Sequence, residues 1–412
     1  MIPLGSDVMS KVVVVGGGAS GLVCAITLKN QNHSVTLIER NSKLGKKILA
    51  TGNGRCNYTN MNASANDYNN PEFVKKVFDQ FGVKETVEFF ESLGIVPRVE
   101  DLGKTYPMSE QAASITEVLA YEAERLGVNI LLDTQVLSIT HKDHYELSLS
   151  TGNKMAFDKV VLSTGGKAMP ISGSDGFGYL LAKSLNHTVT DIFPALVKLE
   201  LRSPYLKQMD GVKIKGDVSL IHDNHIIQTE NGDILFTKYG ISGPTILQIS
   251  RKANALLLDH QAIFLKVKLL SGIAEQKILE RFDALLEKTI EFALVGLVHK
   301  KLIHPLLREA GIKHDHTLVK DVSKKELTKI TRLLFDWRFM VTGFKGFDEA
   351  QVTAGGVSTA EVNPVTLESL KHKGLYFTGE LLDIDGLCGG YNLQWAWSSG
   401  RVAGLHAGEI ND

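Results

Sequence analysis

Three cysteines in 412 residues, Cys24, Cys56 and Cys388, are too few, too far apart and odd in number to build a disulfide scaffold. Their scarcity fits a reducing cytoplasm, and the lack of any Cys-x-x-Cys excludes the common dithiol redox motif. Charge of one sign is missing too. The 45 Lys and Arg against 46 Asp and Glu leave a formal net charge of −1, and no basic stripe stands out, so no nucleic-acid partner is expected. Apolar runs such as Lys11–Val15 are far too short to span a bilayer, so no membrane partner is expected either. The opening Met1–Val8 has neither a basic start nor a long apolar stretch. It reads as an extension rather than a secretory signal, ahead of a fold beginning near Met9. Histidines are scattered, no tight His/Cys/Asp group predicts a metal, and no internal repeat or low-complexity segment occurs. What remains is a soluble globular chain, 43% hydrophobic and 22% charged. Its length suits about two or three domains.

What is present begins at Lys11-Val12-Val13-Val14-Val15, mostly β-branched and apolar, the pattern of a buried parallel strand. Gly16-Gly17-Gly18-Ala19-Ser20-Gly21 follows directly, then a helical stretch through Leu22, Ala25, Ile26 and Leu28. Gly16, Gly18 and Gly21 fit G-x-G-x-x-G in its strand–turn–helix context: one for the tight turn, one for close approach of backbone to a pyrophosphate, one for helix–strand packing. The helix N-terminus offers N–H groups and a positive dipole end to phosphate. A second strand, Ser34–Ile38, ends in Glu39, where a ribose-binding acid belongs. A carboxylate there repels a 2′-phosphate, which points to FAD or NAD rather than NADP.

The rest of the chain favours FAD. Residues 41–70 form a long polar segment rich in Gly and Asn instead of another βα repeat, and loops of that length are usually functional. Three alternating stretches near 136–141, 145–150 and 155–162 predict a β-meander leading to Ser163-Thr164-Gly165-Gly166. Near the end, strand Leu375–Thr378 runs into Gly379-Glu380, and Gly389-Gly390-Tyr391-Asn392 precedes a helix expected from about Leu393 to Ala407. A second glycine-preceded helix N-terminus, far along the chain from the first, suits the flavin end of an extended dinucleotide.

Six separated motifs make the chain similar to a known family. They are VVGGGASGL, GKKILATGNGRCNYTN, STGG followed by GSDGFGY, ILFTKYGISGPTILQIS, VTAGGVSTAEVNP and GLYFTGELLDIDGLCGGYNLQWAWSSG. Together they resemble a bacterial family of two-dinucleotide-fold, FAD-dependent oxidoreductases with aminoacetone oxidase-like and 3-dehydro-bile-acid reductase-like members. The resemblance covers residues 10–408. It implies a Rossmann-like α/β cofactor domain, interrupted by inserted regions, with FAD bound in extended form. Gly16, Gly18, Ala19, Ser20 and Gly21 would face the pyrophosphate. Glu39 and Arg40 would contact the adenosine half, with Val136 meeting adenine through its backbone and Thr164 and Gly165 at the same end. Lys46, Gly54, Arg55 and Asn57 of the second motif would lie near the flavin or its phosphates, Arg55 gripping pyrophosphate bidentately. Gly379 and Glu380 would lie near the ribityl chain. Gly390, Tyr391, Asn392 and Leu393 would pass the isoalloxazine, and the Gly355-Gly356-Val357 turn would approach it from another side.

The expected FAD-binding domain comprises residues 10–193 and 346–412. A β-rich insert is expected over 194–272, with turns at Asp223-Asn224 and Asn231-Gly232-Asp233, and a helical insert over 273–345. In the latter, Ile278, Phe282, Leu285 and Leu286 share a face, and an apolar run over Phe292–Leu307 is expected to break at Pro305. Flavin chemistry asks little of side chains, so the catalytic candidates are few. Tyr239 and Tyr391 each either donate to a substrate carbonyl or pack. Cys56 is either a thiol beside the flavin or a small loop neighbour; the resemblance, which brings Cys388 to the flavin from the other end of the chain, leaves open an encounter between the two. Glu380, Asp383 and Asp385 read as loop-organising and ribityl-binding, Trp395 and Trp397 as core.

Two functions remain at this level. The first is an FAD-dependent oxidoreductase acting on a small organic substrate between the flavin and the insert, by hydride transfer to or from flavin N5. It would be either an enone reductase, with NAD(P)H as transient donor, or an oxygen-using amine oxidase. The second is a flavoprotein associated with tRNA, for which the nearest cations are Lys213 with Lys215, and Lys324, Lys325 and Lys329, interrupted by acids.

Overall fold

The computed structural model describes residues 10–409; the expected extension at Met1–Val8 and the start near Met9 lie outside the described residues. The chain divides into two compact units, Met1–Phe193 with Gln351–Asp412, and Pro194–Ala350.

The first unit is built on a parallel five-stranded sheet in the order Leu375–Phe377, Lys159–Leu162, Lys11–Val15, Ser34–Ile38, Asn129–Leu131. Its central strands are buried along nearly their whole length, as runs of Val, Ile and Leu covered on both faces must be. Two helices pack beside each other on this sheet, the first (Ala19–Lys29) and the last (Tyr391–Ala407). Small residues set their spacing: a Cβ on Gly400 would stand 2.3 Å from the Ser20 carbonyl oxygen, and one on Gly404 would stand 3.0 Å from that of Cys24. The fold class expected from the sequence, a Rossmann-like α/β cofactor domain with an inserted region, is the one observed.

Details differ. The stretch 155–162 is two strands: Lys154–Phe157 completes the meander, while Lys159–Leu162 enters the parallel sheet. The last helix starts at Tyr391, not Leu393.

The second unit is a closed antiparallel barrel in the order Leu199–Arg202, Gly240–Ser242, His225–Thr237, Lys213–His222, Ile263–Lys268, Trp337–Phe344. The expected division at 272/273 is therefore corrected. Trp337–Phe344, placed within the helical insert, closes the barrel, and the β-rich and helical segments share one core. Trp337, Phe339 and Val341 point inward at the two-residue period of a strand, a short signal directly after helix Lys324–Phe335. The cofactor unit resumes at Gln351 rather than 346. Asn231-Gly232-Asp233 is no turn: it lies inside strand His225–Thr237, with Gly232 opposite Gly216 and Asn231 donating to Asp217 at 2.6 Å. Asp223 and Asn224 do turn, both left-handed with φ of 47° and 60°. The helical run breaks near Gly296 (φ 83°), whereas Pro305 sits inside helix Lys300–Ala310.

Among the described residues no helix is long and apolar enough to cross a membrane, and no group of His, Cys, Asp and Glu is arranged to hold a metal ion.

Within the first unit a buried polar cluster ties the segment after residue 360 to the rest. His187 sits with Nε2 2.8 Å from Ser369 Oγ and Nδ1 3.2 Å from a Glu361 oxygen. Burial pushes the His187 pKa from its ordinary 6.5 down to about 4, against the pull of Glu361. Desolvation would raise Glu361, but Lys371 and the N–H and hydroxyl of Thr188 bring it from 4.5 down to about 2. Both folded values lie below the unfolded ones, so the unfolded chain binds protons first and acid destabilises. Thermal melts are expected to show Tm falling from about pH 6.5 toward pH 4, a segment of the slope that His187→Gln removes. A wild-type Tm flat across that window would contradict this.

Candidate cofactor site

A long groove runs through the first unit and encloses about 1210 Å³ of space, part of it open to solvent. Its floor is the turn after the first strand. Gly16 has φ of 107°, and a Cβ there would stand 2.5 Å from the Ser163 carbonyl oxygen; one on Gly21 would stand 1.9 Å from that of Gly16. Both glycines are required by packing, and Gly21 lies behind the wall rather than on it. Gly18 is different: a Cβ there would meet nothing within 4 Å. Gly16, Gly18, Ala19 and Ser20 line the groove, and no side chain caps the helix that Gly18 opens. Its first-turn N–H groups thus form an open anion site.

Glu39, Arg40, Val136, Thr164 and Gly165 line the groove. Glu39 is buried and held by three N–H donors, from Gly17 at 2.8 Å and from the backbone and side chain of Asn41 at 2.8 and 2.7 Å. A carboxylate offers about four acceptor positions, so capacity remains for ribose hydroxyls. The Thr164 hydroxyl is buried in the groove wall with no hydrogen-bond partner. Arg40 is engaged by Asp175 at 2.5 Å, which leaves it a wall rather than a free cation.

The wall is also made by Lys46, Lys47, Thr51, Gly379, Glu380 and the start of the last helix, at Asn392 and Leu393. That helix too begins without a side-chain cap, at Gly390 with φ of 100°. The Asn392 amide braces the preceding loop, accepting from Gly386 N–H and donating to the Gly386 and Leu387 carbonyls. Two uncapped helix N-termini, an open cradle over Gly18 and an orphaned hydroxyl fit an extended dinucleotide. Glu39 and Thr164 would hold the adenosine end, the first helix the pyrophosphate, and the last helix the flavin.

Several expected residues lie elsewhere. Arg55 does not line the groove: its guanidinium stacks over Tyr106 at 4.0 Å and pairs with Glu100 and, at 3.3 Å, with Glu110. An arginine gripped by two carboxylates is not available to pyrophosphate, and its role as phosphate anchor is corrected. Asn57 is buried and accepts from Thr105 N–H at 3.0 Å, a role inside the loop. Gly52 has φ of 55° and a would-be Cβ 2.6 Å from Asn57 N, whereas Gly54 faces open space; neither lines the groove. Gly390 and Tyr391 sit just outside the wall, Tyr391 packed edge-on to Tyr68. Tyr239 belongs to the barrel unit, under the Lys345 ammonium at 4.1 Å. Cys56 is fully buried, and burial pushes its thiol up to about 12; none of the three cysteines forms a disulfide. Cys388 is partly buried, and its thiol contacts Gln351 Oε1 at 3.7 Å.

Reading residues one at a time missed Lys47, Asn41 and the segment Ser172–Asp175 as groove walls. The last lies in GSDGFGY, whose clustered glycines were the available signal.

A family model described as the HI0933-like protein Rossmann domain matches residues 10–406. The chain is 39% identical over 409 residues to the 3-dehydro-bile acid delta(4,6)-reductase of Clostridium scindens, covering 97% of this chain and 100% of that one. It is 32% identical over 394 residues to the ribosomal RNA dihydrouridine synthase of Escherichia coli, covering 94% and 95%. Among solved structures it is similar in fold to 3-ketosteroid delta1-dehydrogenase from Sterolibacterium denitrificans, with a TM-score of 0.52, 12% identity and coverage of 97% and 100%.

Two substitutions test the groove. Gly18→Val, into open space, is expected to leave the melting temperature near wild type and weaken FAD binding at least about tenfold, ~1.4 kcal/mol. Gly16→Ala is expected to lower stability first, as its Cβ meets the Ser163 carbonyl. Fluorescence titration of FAD beside thermal melts separates the two, and equal FAD affinity in Gly18→Val would remove this groove as the cofactor site. Cys56→Ser is expected to keep FAD and turn over within about threefold of wild type, since a buried protonated thiol does no nucleophilic chemistry.

Proposed function

Because the chain belongs to the HI0933-like family, we propose that it reduces a carbon–carbon double bond conjugated to a carbonyl in a small polycyclic, steroid-like substrate. The chain is an FAD-dependent oxidoreductase. Full-length similarity at 39% identity to a reductase of 3-dehydro bile acids is the observation that carries the finer reading. The other relatives support the same bond chemistry. A delta(4,6)-reductase and a dihydrouridine synthase, by their names, each saturate an alkene in conjugation with a ring carbonyl.

Bound FAD would supply the electron pair as a hydride from N5 to the β-carbon, with NAD(P)H as its reductant. The protein has to polarise the carbonyl, provide a proton for the α-carbon and keep the cofactor's charge in balance. The uncapped N-terminus of helix Tyr391–Ala407 turns its positive dipole end to the groove, where it would meet the flavin. Tyr391 stands next to that wall, and burial, aided by Asp67 and Cys388, raises its phenol above the ordinary value. It therefore remains a neutral O–H donor, suited to a substrate carbonyl.

The ribosomal RNA relatives favour a second reading, a nucleobase substrate. Charge argues against it. RNA binding draws on uncompensated cations, yet Lys213 is paired with Asp233 at 2.8 Å, Glu326 interrupts the Lys324, Lys325 and Lys329 group, and the chain's net charge is −1.

Anaerobic stopped-flow tests the proposal. NADH or NADPH is expected to bleach the bound flavin, and a 3-oxo-4,6-diene steroid acid to restore its colour as one of its two carbon–carbon double bonds is reduced, each reduced flavin supplying the two electrons for one bond. Flavin that neither nucleotide reduces, or that is reduced by amines and reoxidised only by oxygen, would replace the reductase with an oxidase. Reoxidation by ribosomal RNA alone would replace the substrate class.

A further inference from the structure

Six charged side chains line the groove: Glu39, Arg40, Lys46, Lys47, Asp175 and Glu380. Arg40 and Asp175 neutralise each other, and Glu39 is held by N–H groups. Lys47 Nζ lies 2.7 Å from Glu380 Oε2, joining the 41–70 segment to the turn after strand Leu375–Phe377. The two side chains are 26% and 18% exposed, so the pair is largely withdrawn from water. Glu380 cannot turn away if the lysine is lost, since its other oxygen accepts from Thr353 N–H at 2.9 Å. A partly buried ion pair adds little net stability, because desolvation offsets attraction. Its effect on a neighbour is another matter. The intact pair presents almost no net charge to a cofactor in the groove, whereas removing either member leaves a full unit charge in a medium of reduced dielectric.

We propose that Lys47 is a positioning and charge-compensating residue: by neutralising Glu380 in the groove wall it sets the reduction potential of the bound flavin. This rests on the FAD assignment above. Two-electron reduction adds negative charge to a cofactor that already carries two phosphates. A bare Glu380 carboxylate opposes that addition, and a bare Lys47 ammonium favours it.

The test is the midpoint potential of the bound flavin, by dye-linked anaerobic titration, together with FAD affinity, in Lys47→Gln, Lys47→Arg, Glu380→Gln and the double glutamine variant. Lys47→Gln is expected to shift the potential downward and weaken FAD at least tenfold. Lys47→Arg is expected to stay near wild type, Glu380→Gln to shift upward, and the double variant to return toward wild type. A Lys47→Gln protein with unchanged potential overturns the proposal whatever its FAD affinity, because that pattern makes Lys47 a plain phosphate ligand. Should Lys47→Gln fail to fold or hold FAD, Glu380→Gln decides: an upward shift supports the proposal, and no shift or a downward one overturns it. A wild-type protein that remains colourless with FAD refutes the flavin assignment instead, leaving the two failures distinct.

Discussion

Close packing of the first helix against the last is the constraint on which the cofactor unit depends. Gly400 and Gly404 let the last helix meet the backbone at Ser20 and Cys24, distances that any Cβ would forbid. The two elements are separated by most of the sequence, yet this contact sets their uncapped N-termini on one groove. Each contributes a set of unpaired N–H groups and a positive dipole end, one suited to pyrophosphate and one to the flavin.

Polar bonds lock that arrangement. Ser163, Thr378 and Ser20 form a buried chain of hydroxyls beneath the groove, at 2.7 and 3.0 Å. Gly379, at the groove wall, is held from both sides: its N–H donates to Ser399 Oγ and its carbonyl accepts from Trp395 Nε1. Buried Gln394 ties Thr59, Thr86 and Ser398 together, fastening the long 41–70 segment to the last helix. Fully satisfied buried networks of this kind are rigid, and rigidity is what an electrostatically preorganised flavin site requires. The chemistry belongs to the cofactor; the protein contributes a fixed field and a fixed shape.

The TGNGRCN segment follows the same logic. Its residues do not reach the groove except at Thr51. Left-handed backbone at Gly52, Asn53, Gly54 and Cys56 folds the segment on itself, and Arg55 pins it to Glu100, Glu110 and the face of Tyr106. The cysteine that draws the eye in sequence is a buried hydrophobe, while the lysine that precedes the segment, Lys47, faces the cofactor space.

The sequence by itself determined the elements whose signal is local. A β-branched run, glycines at fixed spacing and a terminal Glu39 specify the first strand, turn, helix and a buried acid at the groove, because each residue acts on its immediate neighbours. The resemblance added further groove residues, among them Lys46, Val136, Thr164, Gly165 and Glu380. Only the tertiary structure decided which partner a charged side chain takes. Arg55 was expected on a phosphate, but strand pairing sets Arg98 and Tyr106 opposite each other beside it, and it takes Glu100 instead. Lys47 and Glu380 are 333 residues apart. Closure of the barrel by Trp337–Phe344 was likewise invisible, since eight alternating residues after a helix carry no record of the strands they will pair with. Local chemistry is written along the chain, whereas pairing between distant charges and strands follows from how the whole chain packs.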